Sequence, residues 1–434
     1  MTHKVLVALV MILVLPVSMA FAGGQQEDPD EIELEIFYPV AVDAPVTDIL
    51  ERWGEEFEQE NPGVTVNPVF SGDYSDTFAA LQTTIDGGAE PPALSVLLST
   101  DLYDLVNGGY IAPVSDFLDV LDDPDGYLDD FLPAYLENSE FDDQIWSIPF
   151  QRSTVALYYN ADLFAEHGFD EPQSWEELGE IASALTEREN GDVVRWGMDW
   201  PSGWPYWTFQ PLAIGAGQNI VGEDSFDIRF NEPGVIDAIQ YYIDLSQEYD
   251  AMPEGVQSSW GTAPTDFAAG EVAMIVHSSA SLGSIIRDAD FEVGAMAIPG
   301  REHGTFASVP GGGNFYIMDG ISEAKQRAAM EFIAFVTEPD RVAEFSIETG
   351  YIPHREAAYE TEAFQEYLEE VPQMADMRNI LEYAEAELAL QNLGEIRSIF
   401  HDYIQQAFNR DLSPEEAMSR AQEASEEAME PFIP

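Results

Sequence analysis

No cysteine occurs anywhere in the 434 residues. That excludes thiol nucleophiles, disulfide staples and the lipidated cysteine that tethers many exported proteins to a membrane. Lysine is almost as scarce, with only Lys4 and Lys325. Against 16 Lys+Arg stand 82 Asp+Glu, a formal charge of −66, so no basic stripe is available to neutralise phosphates and a nucleic-acid partner is excluded. Long hydrophobic runs are missing as well. The one candidate, Val5 to Val17, falls short of the roughly 20 apolar residues that a bilayer-spanning helix needs. Six histidines show no HExxH or other metal spacing, and no Gly-Lys-Ser phosphate loop appears, so neither a metal nor a cofactor is expected. Asp123-Pro124-Asp125-Gly126 begins like a calcium loop and lacks the glutamate that would complete it.

What is present points to export. His3 and Lys4 precede the apolar run, and Ala20-Phe21-Ala22 follows it, the pattern of a secretory signal peptide over 1–22 with a polar linker over 23–30. A mature protein free in a periplasm is expected. At 45% hydrophobic and 12% aromatic the chain should fold despite its acidity. Aspartate and glutamate in place of surface lysine suggest a halophile-like surface that faces high salt.

Strand and helix signals alternate along the first third of the chain. Ile32, Leu34 and Ile36 alternate with acids as a strand, and Thr47 to Glu60 reads as an amphipathic helix with Thr47 at its N-cap. Asn61-Pro62-Gly63 stops that helix, Val64 and Val66 open a second strand, and Pro91-Pro92-Ala93-Leu94-Ser95-Val96-Leu97-Leu98 forms a third. This alternation indicates an α/β domain with a largely parallel sheet. Further on, Val155 to Tyr159 reads as a strand buried on both faces, entered through the polar cluster Gln151-Arg152-Ser153-Thr154. Ser174 and Glu177 form a capping box, and Val272 to Val276 is another buried strand.

Candidate ligand contacts cluster in four places. Trp200-Pro201-Ser202-Gly203-Trp204-Pro205-Tyr206-Trp207 reads as a loop whose indoles either face a sugar or polyol or form a small aromatic core. Ser278-Ser279-Ala280-Ser281 lies at the carboxyl end of a strand, where open α/β sheets bind ligands. Gly311-Gly312-Gly313-Asn314 is either an amide nest or an ordinary turn. Arg397, among apolar residues, needs a partner that is either a structural acid or a ligand anion.

The run Ile148-Pro149-Phe150, Ser153-Thr154, Leu157-Tyr158-Tyr159-Asn160 and Leu163-Phe164 resembles the crossover strand of the sugar-type extracellular solute-binding proteins of ABC importers. Asn61-Pro62-Gly63-Val64, Phe267 to Met274, and Thr349-Gly350-Tyr351-Ile352-Pro353 match in the family's order. The resemblance implies a two-lobed α/β fold of the periplasmic-binding-protein kind (type II), each lobe a mostly parallel sheet flanked by helices and discontinuous in sequence. Lobe 1 would comprise 31–155 and 292–340, and lobe 2 would comprise 156–291 and 341–434. It further implies a monomer without enzymatic activity that captures a small solute (a sugar, polyol or glycerol phosphate) by hinge closure and delivers it to an ABC permease.

In the glycerol-3-phosphate branch of that family, the places around the phosphate correspond to Arg397, Tyr351, Gly312, Ser153 and Ser279. Tyr74 and the pair Trp204 and Trp207 correspond to the contacts with the glycerol part. Two departures stand out: Ser99 occupies the place of a glutamate, and Arg152 that of a small hydroxyl residue. A different phosphodiester or a neutral sugar therefore stays open. The competing classes are a secreted two-carboxylate polysaccharide hydrolase, which would turn substrate over, and a structural surface protein, which would have no cleft.

With so much like charge, self-repulsion should loosen the fold wherever it is unscreened. The thermal unfolding midpoint should therefore rise monotonically as salt is increased from tens of millimolar to molar; a flat or falling profile by circular dichroism would remove the halophile-like reading.

Overall fold

The computed structural model describes residues 31–433 apart from 203 and 223; the expected signal peptide (1–22) and linker (23–30) lie outside the described residues. Strands β1 (Ile32–Tyr38), β2 (Val64–Phe70) and β3 (Leu94–Leu98) pair in parallel in the order β2-β1-β3, connected by helices α1 (Val46–Glu60) and α2 (Tyr74–Asp86). Helix α1 forms because Val46, Ile49, Leu50, Trp53 and Phe57 recur at helical spacing and bury one face. Its N-cap position is Pro45, not Thr47; the Thr47 hydroxyl instead accepts from Tyr38 Oη at 3.0 Å. Asn61 ends the helix through its amide on the Phe57 carbonyl, and Gly63 turns the chain at φ +100°. Helix α2 starts in a capping box between Asp73 and Asp76, which fixes Tyr74 at its first turn.

The organising element is the crossover strand Ser147–Asn160. Residues 147–154 pair antiparallel with the return strand Pro310–Met318, which in turn lies antiparallel to β3. Residues 155–160 then pair antiparallel with the strands Met274–Ser278 and Val293–Met296. The two-lobed α/β architecture is as expected from the sequence, but the sheet is parallel only across β1, β2 and β3. Everything built on the crossover strand is antiparallel, because a strand of that length serves two sheets and receives neighbours that return against it. Its start also differs. The polar run 151–154 lies inside the strand rather than at a solvated entry, and Pro149 is tolerated because the ladder shifts register beside it at Gly313/Asn314.

Three hydrophobic cores follow from this strand's alternation. Ile148 and Phe150 enter the first, with Trp53, Phe57, Phe315, Phe332 and Phe345; Val155 and Leu157 enter the second, with Phe209, Phe230 and Phe400; Ala156 and Tyr158 enter the third. The aromatic stretch expected as a loop turns helical over Pro205–Gly215. Pro205 sits in the first turn, where no amide donor is required, so it starts the helix rather than preventing it. Ser174 caps the helix Trp175–Leu185 by accepting from the Glu177 amide, while the Glu177 carboxylate accepts from the Gln173 amide. Asp123 likewise caps a short helix through the Gly126 amide, which gives the calcium-like tetrapeptide a structural use.

Phe150 is buried between Phe315, 4.3 Å between ring centroids, and Phe345 at 4.8 Å. Phe150→Ala should therefore lower unfolding free energy by about 3–5 kcal/mol in urea titration; a loss under about 1 kcal/mol would show that the first core does not depend on the crossover strand.

Candidate ligand-binding cleft

Between the first and second cores lies a cavity of about 450 Å³, mouth included, whose lining comes from both sides of the crossover strand. Tyr74, Ser153, Trp204, Trp207, Gly312 and Tyr351, all read from the sequence, line it together. Tyr206 and Ser278, within the candidate aromatic and serine stretches, line it as well, together with Trp260 and Glu387, which are not among the sequence candidates.

Several of the lining groups are held by their neighbours. The Tyr74 hydroxyl donates to Gln151 Oε1 at 3.0 Å. Trp207 Nε1–H donates to the Pro310 carbonyl at 2.9 Å, so its ring face, not its N–H, remains for a ligand. Trp204 packs against both cores, and the ring of Trp260 lies 6.4 Å from Trp204 and 6.0 Å from Trp207 at steep angles. Trp260 in turn stacks on His277 at 4.0 Å. Burial pushes His277 down to about 4, so it is neutral, with Nε2 against the Trp260 carbonyl and Nδ1 against Ser281 Oγ. Gly312 has φ +98° opposite Arg152, and a Cβ there would lie 1.8 Å from the Gln151 carbonyl oxygen. The backbone at this point admits glycine alone.

The other four sequence candidates stand just behind the lining. Ser279 is fully buried, and its hydroxyl oxygen accepts the Thr154 amide at 3.0 Å; its neighbour Ser278 takes the lining position. Ser99 is buried one residue beyond the lining Leu98, with no partner for its hydroxyl. Arg152 is fully buried, donates from Nη1 to Asn314 Oδ1 at 3.0 Å and to the lining Gly312 carbonyl at 3.4 Å, and lies 4.7 Å over the Tyr135 ring. Its Nε and Nη2 have no partner. Arg397 lies 5.9 Å over the ring of the lining Tyr206, and its Nη1 has no partner.

Two carboxyl groups complete the cluster. Glu387 is 3% exposed, with Oε2 unpartnered; burial pushes it up to about 8, opposed by Arg152 and Arg397 and reinforced by Asp101. Burial also lifts Asp101 to about 6, with Arg397 opposing. Contacts across the cleft join its two sides: Arg287 to Asp43 at 2.9 Å, the Gly394 amide to Asp104 at 3.3 Å, and Asn107 to Gln391.

Such a molecule, two α/β lobes spanned by shared strands with a half-open aromatic and hydroxyl-lined cavity between them, has the form of a solute-binding protein. A family model for bacterial extracellular solute-binding proteins matches residues 52–372. The chain belongs to that family. It is 27% identical over 390 residues to the sn-glycerol-3-phosphate-binding periplasmic protein UgpB of Yersinia pestis, covering 85% of this chain and 86% of that one. It is 25% identical over 336 residues to UgpB of Brucella abortus, 75% and 76% of the two chains. Among solved structures, UgpB from Mycobacterium tuberculosis in complex with glycerophosphocholine superposes with a TM-score of 0.80 at 22% identity, over 93% of this chain and 99% of that one. Maltose-bound MalE3 of T. maritima gives 0.80 at 21% identity, over 92% and 100%. Family and neighbours are binding proteins, and the hydrolase alternative finds no support among them.

Gly312→Ala should destabilise by more than about 3 kcal/mol, because it adds a clash between the crossover and return strands to an unfavourable φ. Gly168→Ala, at φ +72° with open space around it, is the control and should cost about 1 kcal/mol. Equal urea midpoints for the two variants would show that the cavity backbone can relax.

Proposed function

We propose that this chain captures an anionic, glycerol-phosphate-type solute in its closed cleft and delivers it to the permease of an ABC importer. The observation that carries the reading is the pairing of cations. Every described arginine except Arg152 and Arg397, and Lys325 with them, forms an ion pair with a carboxylate. In a chain where acids so far outnumber bases, the two arginines that form no ion pair are the two beside the cavity, and both keep unpartnered guanidinium nitrogens. Buried guanidinium groups with donors unspent suit a phosphate, which accepts from several donors at once, better than a neutral sugar.

On this reading Arg397, Tyr351, Gly312 and Ser153 surround the phosphate, with Arg152 as an added cation behind Gly312. Tyr74, Trp204 and Trp207 hold the glycerol part, the indole faces against C–H groups. The similarity to UgpB proteins of other bacteria supports this assignment. Ser279 supports the site from behind through Thr154, and Ser99 leaves the glutamate position of that branch unfilled. The lobes divide at the points where the chain changes partners: 31–155 and 310–350 form the first, 156–309 and 351–433 the second. The return falls at 310 rather than 292 because Val293–Met296 pairs with the second half of the crossover strand, and the last passage falls near 350 rather than 340 because Phe345 and Glu344 are tied to the first core. The protein acts as an exported monomer, its leader removed, in a saline medium.

Calorimetric titration in molar salt with glycerol-3-phosphate, a glycerophosphodiester and a panel of disaccharides tests this directly. Phosphate esters should bind, and Arg397→Ala should weaken them by a hundredfold or so, about 2–5 kcal/mol for one partner of a buried charge pair. Binding of disaccharides alone, indifferent to the substitution, would replace the phosphate reading with a sugar one.

A further inference from the structure

We propose that Glu387 is a specificity-determining residue of the cavity and meets an anionic solute as a neutral, hydrogen-bond-donating carboxyl group. The inference rests on the phosphate reading of the cleft and adds to it a proton that is bound together with the solute. Glu387 is a lining residue, 3% exposed, and its Oε2 has no partner. A buried carboxyl oxygen without a donor is unstable as an anion and useful as an acid that donates to a ligand.

The groups that face it fix its charge state. Arg152 approaches from the crossover strand, Arg397 from the helix Leu393–Phe408, and Asp101 from the turn after β3. Tyr74 of α2, Tyr206 of the helix Pro205–Gly215 and Tyr316 of the return strand also lie within its field, and burial raises all three above the ordinary phenol value. His401, stacked on Tyr206, is held neutral by burial, with Arg397 adding to the effect. Among the groups that act on Glu387 itself, two guanidinium groups and an ionised Asp101 leave one positive charge when Glu387 is protonated and none when it is ionised; Asp104 acts on Arg397 one step further out. An anion therefore meets one negative charge fewer when Glu387 holds its proton. Once Glu387 is ionised, the same anion must meet a second carboxylate or bring a proton in with it.

The sign of the pH dependence follows. A solute anion stabilises the protonated carboxyl, so affinity is full where Glu387 is already protonated and falls as pH rises through its elevated titration range, by up to about tenfold per pH unit. Asp101 and His401 titrate below this range, the buried tyrosines above it, and the second ionisation of a phosphate monoester, near 6, lies below it as well. Glutamine reproduces the shape and the N–H donor of the neutral acid and cannot ionise.

Isothermal titration with glycerol-3-phosphate between about pH 7 and about pH 9.5, repeated in buffers of different ionisation enthalpy, reads both affinity and protons taken up. Wild type should lose ten- to a hundredfold in affinity across this range and take up close to one proton per solute at its upper end. Glu387→Gln should show a flat pH profile and take up no proton. A flat wild-type profile, affinity that rises with pH, or a slope unchanged in Glu387→Gln would overturn the role of Glu387 while glycerol-3-phosphate binding itself upholds the phosphate reading. Absence of glycerol-3-phosphate binding at every pH overturns both. The unfolding midpoint of Glu387→Gln, and the wild-type slope, which needs no variant, keep a folding defect from imitating either result.

Discussion

One continuous strand of 14 residues is shared by two sheets, and the rest of the molecule is arranged around the point where it changes partners. Up to Thr154 its neighbour is the return strand; from Val155 onward its neighbours are the strands of the second core. At this handover, side chains take over from the regular ladder. Thr154 N–H goes to Ser279 Oγ; the Thr154 and Ser308 hydroxyls lie 2.7 Å apart, with the Val309 carbonyl 2.9 Å from Thr154 Oγ1 and the Val155 carbonyl 2.8 Å from Ser308 Oγ, so their two hydrogens serve two of these three contacts at a time. All of these groups are buried, so each must stay satisfied while the lobes move. A hydroxyl can rotate to follow its partner where a rigid ladder cannot, which suits this cluster to a hinge.

The same strand places the cavity. Ser153 faces it, Gln151 holds Tyr74 at its wall, and Arg152, on the opposite pleat, reaches it only through Gly312. Around this point the usual charge distribution of the protein inverts. Acids crowd the outside, where water and salt can screen them, while the two unpaired cations sit in the driest region. Burial is unfavourable for both arginines; Tyr135 lies beneath Arg152 and Tyr206 beneath Arg397, while the carboxyl groups that act on them, Glu387 on Arg152 and Asp101 and Asp104 on Arg397, form no direct ion pair with either. Rings stabilise a cation without neutralising it, and so leave it able to act on an anion.

How much of this is legible in the sequence depends on whether a residue's role is set locally. Helix α1, its stop at Asn61-Pro62-Gly63 and the buried strands are readable because periodicity and turn chemistry act over a few residues. The early start of the crossover strand is not, because the polar run 151–154 is satisfied by segments more than a hundred residues away. The helix after Trp204 escapes a reading that treats every proline and glycine as a breaker, although proline in a first turn favours a helix. Six of the ten candidate ligand residues line the cavity; Ser279 and Arg152 stand behind it because their contacts depend on which pleat and which oxygen the fold selects. Glu387 and Trp260 have weaker signals still. A single acid in Ala386-Glu387-Leu388-Ala389-Leu390 is a hint of burial, but among 82 acids it does not stand out.

Closure can be weighed from the contacts that span the cleft. Arg287 and Asp43 are 57% and 79% exposed, so their ion pair contributes no more than about 1 kcal/mol and less in high salt. Gly394 to Asp104 and Asn107 to Gln391 also span the cleft and are polar. Trp204, by contrast, touches both hydrophobic cores and lines the cavity between them. A solute seated between Trp204 of the second lobe and Tyr74 of the first engages both lobes through cavity-lining groups, whose interactions are screened far less than those at the rim. The equilibrium between open and closed forms then responds chiefly to what occupies the cavity, since a ligand shifts it only by its difference in affinity for the two forms, and the buried contacts that make this difference exist only when the lobes are together.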